Sequence, residues 1–251
     1  MALFVSVINH NHDDMICTNS TLKELATEHT VLLKSNTQAT SKLQDYCKDN
    51  GIILIQGKER KGFGTNNNEV FHYAEQHLEL SQNDYFLVLN PDVDVSLESI
   101  NQLLDTVKTN DYTTSTINLF KNRELTEYDN SIRRFPSIWN PIKSLLKIKR
   151  TDHYDKNEIN EPTTVDWAAG SFLLFKYDVY KQLNGFDEKY FMYFEDVDIC
   201  KRIIRNNYHL YYIPLIKGIH LAQHKNRSLF SLEVFYYLNS YLKYYSSNKF
   251  R

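Results

Sequence analysis

Two groups of acids in this chain have the types and spacing that chemistry needs. The first is Asn90-Pro91-Asp92-Val93-Asp94, directly after the apolar run Tyr85-Phe86-Leu87-Val88-Leu89. A carboxylate at the end of a buried strand is held rigidly. Hard divalent cations favour such oxygens, using one or two carboxylates and completing the shell with substrate phosphates. The same spacing fits a helix cap, with Asp92 or Asp94 opening a helix near Ser96, and both readings stand at this level. The second group is Glu195-Asp196-Val197-Asp198, preceded by Phe191-Met192-Tyr193-Phe194. Adjacent carboxylates behind an apolar wall can raise one pKa and so tune a base. Acids also suit a helix N-terminus, and Asp198 is spaced to pair with Arg202 at i, i+4. His220 follows the strand-like Tyr211 to Ile219 and by its position alone is an ordinary strand-end histidine.

The elements that must position these groups alternate. Apolar runs at 3–8, 30–33, 52–55 and 85–89 read as buried strands, and helix-like stretches fall near 15–28, 39–49 and 68–79. That alternation argues for an α/β fold with a mostly parallel sheet and helices on both faces. Ligands bind such sheets beyond the carboxyl ends of the strands. Asn9 to His12, Ser35-Asn36 and Asn90 to Asp94 all fall there. Residues 121–163 are polar and irregular, with Pro136, Pro141 and Pro162, and read as a long functional loop or small insertion. Regular structure resumes over 165–175, and Ile199, Cys200, Ile203 and Ile204 mark one face of a helix that Glu195 and Asp196 open.

Bulk properties narrow the class. A length of 251 residues suits one large α/β domain or one with a small appendage. A net charge of -2 offers no global basic field for nucleic acid. Cys17, Cys47 and Cys200 are odd in number and widely spaced, which fits a reducing cytoplasm better than a disulfide framework. No run approaches the ~18 apolar residues of a spanning helix, and the apolar start is too short for a signal peptide.

The motifs also come in a telling order: Asn9-His10-Asn11 after the first strand, Gly62-Phe63-Gly64 with Asn67-Asn68, Asn90-Pro91-Asp92, Gly170-Ser171, Gly185-Phe186-Asp187-Glu188, Glu195-Asp196-Val197-Asp198 and His220. This order resembles family 2 inverting glycosyltransferases of GT-A fold, above all bacterial rhamnosyltransferases of O-antigen and capsule assembly, over residues 3–228. The resemblance implies a GT-A domain over 1–228, with a nucleotide-binding half at 1–110, an acceptor half at 111–228, and an aromatic helix at 229–251. It implies that Asp92 and His220 hold Mg²⁺ or Mn²⁺ against the donor diphosphate, and that Asp196 is the catalytic base with Glu195 in support. It places Asn9, Asn36, Gly64, Asn67, Asn90 and Gly170 against the nucleotide sugar. Trp167 would lie near sugar and acceptor, or else belong to the core. Two positions depart from the pattern: Ser35-Asn36 stands where the family has Asp-Asn, and Arg60 stands where it has Asn. Both bear on donor recognition.

The partners implied are a dTDP- or UDP-sugar donor and a glycan or polyprenyl-diphosphate-linked acceptor. Residues 133–150 carry six basic residues and no acid, interleaved with Phe135, Trp139, Ile142, Leu145 and Leu146. That composition reads as a membrane-surface segment, giving a peripheral site on the inner face of the membrane, or as a solvated loop. The tail spaces Phe230, Val234, Tyr237, Tyr241 and Tyr245 as a packing or dimerising helix. Two competing functions are a non-catalytic sugar-nucleotide or glycan-binding module and a sugar-phosphate nucleotidyltransferase. The latter lacks its basic Gly-rich signature after the first strand.

Overall fold

A computed structural model describes residues 1–138, 152–221 and 232–247. Its main sheet, among the described residues, runs in the order β3 (Ile53–Gln56), β2 (Thr30–Ser35), β1 (Leu3–Asn9), β4 (Tyr85–Leu89), β10 (Phe172–Lys176), β6 (Thr114–Phe120), β11 (Leu210–His220) and β5 (Val93–Asp94), with β8 (Thr163–Thr164) paired to β11. β7 (Ile132–Arg133) and β9 (Trp167–Ala168) form a small second sheet. The strands from β3 to β4 are all parallel, as the alternating pattern requires. Apolar layers cover both faces of the sheet. Along β1, Phe4 and Ile8 enter one layer while Leu3, Val5 and Val7 enter the other. This is the period of two that makes a strand buried on both faces read as a continuous apolar run.

Two features of the topology gather the site. β10 runs antiparallel to both β4 and β6, and its first residue, Phe172, pairs with Leu89, the last of β4. Gly170-Ser171 therefore lies beside Asn90, whose amide donates to the Ser171 carbonyl at 2.9 Å. β11 runs parallel to β6, which carries His220 to the same edge of the sheet, paired with Val93. The register of β11 shifts between Ile213 and Lys217, around Pro214, which lacks the amide a ladder needs.

Several expected boundaries move for identifiable reasons. The helix expected over 15–28 divides into α1 (Asp13–Thr18) and α2 (Thr21–Leu25). α3 (Ser41–Asp49) is capped by Thr40, whose hydroxyl accepts from Leu43 N. α4 (Phe63–His77) starts five residues before the expected 68, so Gly64 lies inside the helix rather than in a turn. Its lack of a side chain is required there, because a Cβ would come within 2.7 Å of Phe186 Cβ. α5 (Leu97–Thr109) is capped by Ser96 itself, whose hydroxyl accepts from Ser99 N at 3.1 Å. That removes the cap reading of Asp92 and Asp94. The later helices are α6 (Tyr177–Gln182), α7 (Glu195–Arg205) and α8 (Leu232–Ser247). No helix among the described residues is long and apolar enough to cross a membrane. The expected division at 228 and residues 139–150 of the basic segment lie outside the described residues.

Candidate active site

The turn after β4 carries Asp92, and β11 ends on His220. His220 Nε2 lies 3.4 Å from Asp92 Oδ1, and the Leu221 amide donates to the Asp92 carbonyl at 3.2 Å. The other ring nitrogen, Nδ1, lies 2.6 Å from Asp129 Oδ2. Burial pushes the imidazole down, but Asp129 and Asp92 outweigh it and hold His220 up at about 9. Burial likewise pushes Asp129 up, yet His220, Lys156 and Arg133 leave its carboxyl below its ordinary value. Lys156 is buried beneath, with its ammonium donating to Ser131 Oγ at 3.0 Å and Leu119 O at 3.3 Å. Burial draws it down to about 8 against the charge of Asp129.

Asp92 and His220 fit a divalent cation as an incomplete donor set: one hard oxygen and one nitrogen converge at the cleft rim. No group of three or more His, Cys, Asp or Glu among the described residues forms a cage. Sites that share their cation with substrate phosphates need no such cage. Asp94 lines the same cavity as Asp92 but is already engaged, bonded by Thr21 Oγ1 at 3.2 Å and paired with Arg123 at 3.1 Å.

The two adjacent carboxylates of α7 point to different places. Asp196 Oδ2 accepts from Gly170 N at 3.3 Å and Oδ1 from Val197 N at 2.8 Å, and part of its surface stays open. Burial pushes its carboxyl up, opposed by those two donors and by the charge of Arg133. Glu195 turns inward against Gly64, is only 6% exposed, and has an Oε2 without a hydrogen-bond partner. Burial and the neighbouring Asp196 charge push it well up, so of the pair Glu195, which lacks the donors that Asp196 has, is the one that keeps a proton more readily. Asp198 pairs with Arg202 at 2.7 Å, a structural role.

The segment that presents Asp196 is strained. Tyr193 and Phe194 have φ of 69° and 67°, a left-handed conformation that costs a non-glycine residue ~1–2 kcal/mol. Packing holds it there. Phe63 N donates to Phe191 O at 3.1 Å, and Ser240 of α8 donates to Met192 O at 2.8 Å. Phe191 packs on Tyr236, and Phe194 meets Tyr237, Tyr241 and Tyr244. The aromatic spacing of the tail thus serves packing against this loop.

The residues expected against the nucleotide divide into walls and lining. Asn9 is fully buried, its amide donating to Asp13 and Ser35 while its oxygen accepts from His12 N. Asn67 is also fully buried, bonded to Ser6 and to Phe63 O. Asn36 clasps the Lys61 backbone through both ends of its amide, at 2.8 and 2.9 Å. These three side chains are spent on internal bonds and build the cleft wall. So does Gly64, whose role is the close approach to Phe186. Trp167 is 8% exposed, and its indole donates to Arg134 O at 2.9 Å, which makes it core. Asn90, Asp92 and Asp196 keep part of their surface open at the rim, and Gly170 is buried between them. Their connection is direct: Asp196 touches Gly170, Ser171 bonds Asn90, and Asp92 follows two residues on.

Asp129, Arg133 and Lys156 come from the segment read as irregular loop; Arg133 was read only as one of the basic residues of 133–150, and Asp129 and Lys156 were not singled out. Nothing local marks them. Lys156 is a lone lysine in a polar stretch, and only the contacts of Asp129 with β11 and of Arg133 with Trp167 (5.4 Å) reveal them.

No protein-family model matches the chain. It is 33% identical over 246 residues to rhamnosyltransferase WbbL of Escherichia coli (strain K12), covering 96% of this chain and 92% of that protein. It is 25% identical over 182 residues to the low-salt glycan biosynthesis hexosyltransferase Agl10 of Haloferax volcanii, covering 72% of this chain and 56% of the other. An N-acetylglucosaminyl-diphospho-decaprenol L-rhamnosyltransferase of Mycobacterium tuberculosis is 29% identical over 155 residues, 56% of this chain and 48% of that one. Two solved structures share the fold at low identity. One is GalNAc-T7 with UDP, GalNAc and Mn²⁺, with a TM-score of 0.62, 15% identity and 92% of this chain covered. The other is S. aureus TarS 1-349 in complex with UDP, with a TM-score of 0.56, 14% identity and 86% covered. The match spans 46% and 61% of those two chains. The architecture is therefore that of the GT-A glycosyltransferases.

Proposed function

Because the chain belongs to the glycosyltransferase family that includes rhamnosyltransferase WbbL, we propose that it moves a sugar from a nucleoside-diphosphate donor to an acceptor hydroxyl with inversion. The observation that carries this reading is the shared rim, where the turn holding Asp92 and the helix holding Asp196 are joined through Gly170-Ser171. A binding module without turnover would not need both groups on one cleft.

In the proposed step the acceptor oxygen forms a bond to the anomeric carbon as the bond from that carbon to the diphosphate oxygen breaks. The electron pair leaves with the nucleoside diphosphate, and Asp196 receives the hydroxyl proton. A single displacement inverts the anomeric centre. Glu195, buried and protonated, keeps a second negative charge away from the base. Asp92 and His220 are the residues that would hold Mg²⁺ or Mn²⁺, which when bound offsets the charge growing on the leaving diphosphate. Arg133, held over Trp167 within electrostatic reach of Asp196 and Asp129, adds fixed positive charge nearby.

We take the donor to be dTDP-rhamnose or a UDP-hexose and the acceptor a glycan or polyprenyl-diphosphate-linked sugar of bacterial surface polysaccharide synthesis. In support, the relatives are named as rhamnosyl- and hexosyltransferases, one of them acting on a diphospho-decaprenol, and the two solved structures hold UDP. Contact with the inner membrane surface is supported by the basic composition of 133–150. The exposed Leu232, Phe235, Leu238 and Leu242 of α8 support the same contact or a homodimer. The test is a panel of dTDP-, UDP- and GDP-sugars, assayed for binding and hydrolysis with and without Mn²⁺. The reading predicts one preferred donor and metal-dependent turnover. It fails if no donor binds and Asp92→Ala leaves every affinity unchanged.

A further inference from the structure

The reading of Asp92 and His220 as cation donors leaves one short contact unexplained, the bond between Asp129 and the far nitrogen of His220. We propose that Asp129 is a positioning residue that fixes the imidazole with Nε2 toward Asp92 and thereby sets the divalent-cation affinity of the site. The inference rests on that reading of Asp92 and His220.

The geometry is one-sided. Asp129 Oδ2 is 2.6 Å from Nδ1, while Asp92 Oδ1 is 3.4 Å from Nε2, so the two carboxylates meet different edges of one ring. A carboxylate can only accept from a ring nitrogen, so Nδ1 carries its hydrogen whenever this contact is made. Nε2 is then the nitrogen that faces Asp92, and a cation entering there takes its lone pair by displacing the second proton of the imidazolium. Without Asp129 the ring is free to rotate, and the tautomer with hydrogen on Nε2 presents no lone pair to the rim. Partners of this kind orient metal-binding histidines generally, and their loss costs ~10- to 100-fold in metal affinity.

Asp129 is suited to the task because its own position is fixed. Its amide donates to Leu119 O at 2.9 Å, Lys121 N donates to Glu127 O at 2.8 Å, and Phe120 bridges Tyr128. These contacts fold residues 120–129 back on the end of β6, the strand beside β11. Lys156 ties the same structure from below by bonding Leu119 O and Ser131. The carboxylate therefore stands on a braced return of the chain rather than on a free loop. It lies behind the ring as seen from Asp92.

The experiment is a titration of the full chain with Mn²⁺ alone, following the free-ion EPR signal, for the wild type, Asp92→Ala, His220→Ala, Asp129→Ala and Asp129→Asn. Asp129→Ala is expected to weaken Mn²⁺ binding ~10- to 100-fold. Asp129→Asn, whose amide oxygen still accepts from Nδ1, should stay within about threefold of wild type. Transfer assays should show the Mn²⁺ needed for half-maximal rate rising in Asp129→Ala, with kcat at saturating Mn²⁺ restored to within a few fold. If Asp129→Ala does not fold, Asp129→Ser takes its place with the same expectation, since its hydroxyl stops short of the ring. Unchanged Mn²⁺ affinity in the truncated variant, with Asp92→Ala still losing binding, overturns the inference and leaves the donor reading standing. Asparagine as weak as alanine also overturns it, because the charge and not the orientation would then matter. No Mn²⁺ binding by the wild type, or none lost in Asp92→Ala, removes both readings together.

Discussion

Asparagine at 196 and glutamine at 195 make nearly isosteric changes one residue apart, yet the structure assigns them opposite outcomes. Asp196→Asn removes the group facing Gly170 and the rim. A positioned base contributes ~10²–10⁴ in rate, so kcat should fall by that factor, about 3–5 kcal/mol in barrier height. Glu195→Gln replaces a buried carboxyl that already holds its proton, and activity should stay within about tenfold of wild type. The acid limb of kcat/KM should sit above the ordinary carboxylate value of ~3.9, because burial raises Asp196. That limb should persist in Glu195→Gln. Stability provides a second readout. Between ~pH 4.3, where the unfolded chain ionises Glu195, and its raised folded-state value, the fold keeps a proton that the unfolded chain has lost. Wild-type stability therefore falls as pH rises through that window. Melting temperatures from pH 5 to 8 should decline less steeply in Glu195→Gln. The assay is nucleoside diphosphate release from the preferred donor and acceptor, with thermal melts on the same samples. A Glu195→Gln enzyme as slow as Asp196→Asn, or one lacking the acid limb, would refute the division of roles.

Other predictions follow from the same contacts. Phe194→Ala should destabilise the protein by ~3–5 kcal/mol through lost packing against Tyr237, Tyr241 and Tyr244. Phe194→Gly should cost ~1 kcal/mol less, because glycine accepts the left-handed backbone that alanine resists; urea unfolding of both variants decides it. Asn67→Ala leaves Ser6 Oγ and Phe63 O without their amide partner and should cost ~1–3 kcal/mol. Donor affinity of the folded fraction, measured by calorimetry, should be unchanged; a lost affinity at wild-type stability would restore Asn67 to the nucleotide. Gly170→Ala puts a Cβ 3.0 Å from Phe63 and 3.8 Å from the Cβ of Asp196. It should lower kcat more than melting temperature, and a fully active variant would show that this approach is slack.

The parallel half of the sheet was legible in the sequence because a strand buried on both faces reads as an apolar run, as β4 does and β1 does apart from Ser6 and Asn9. The equally buried β6, Thr114-Ser115-Thr116-Ile117-Asn118-Leu119-Phe120, shows no such run. The polar residues at the ends of β1 and β4 were legible for the same reason as the runs themselves. Asp92 and Asp196 emerged as candidates from residue type and order, and the likeness of the motifs to a known family ranked them above Asp94 and Asp198. Residue type could not separate an asparagine that lines a cleft from one that braces it. Asn9, Asn36 and Asn67 differ from Asn90 only in what surrounds them, and those surroundings come from distant strands and helices. The inward turn of Glu195 and the outward turn of Asp196 likewise depend on the left-handed pair Tyr193-Phe194, which α8 holds from some fifty residues away. Asp129 reaches His220 across 91 positions of sequence. Sequence spacing determines which groups share a strand end or a helix turn. Only the folded chain decides which of them meet, because the reversal of β10 and the return of β11 to the same sheet edge are properties of the topology.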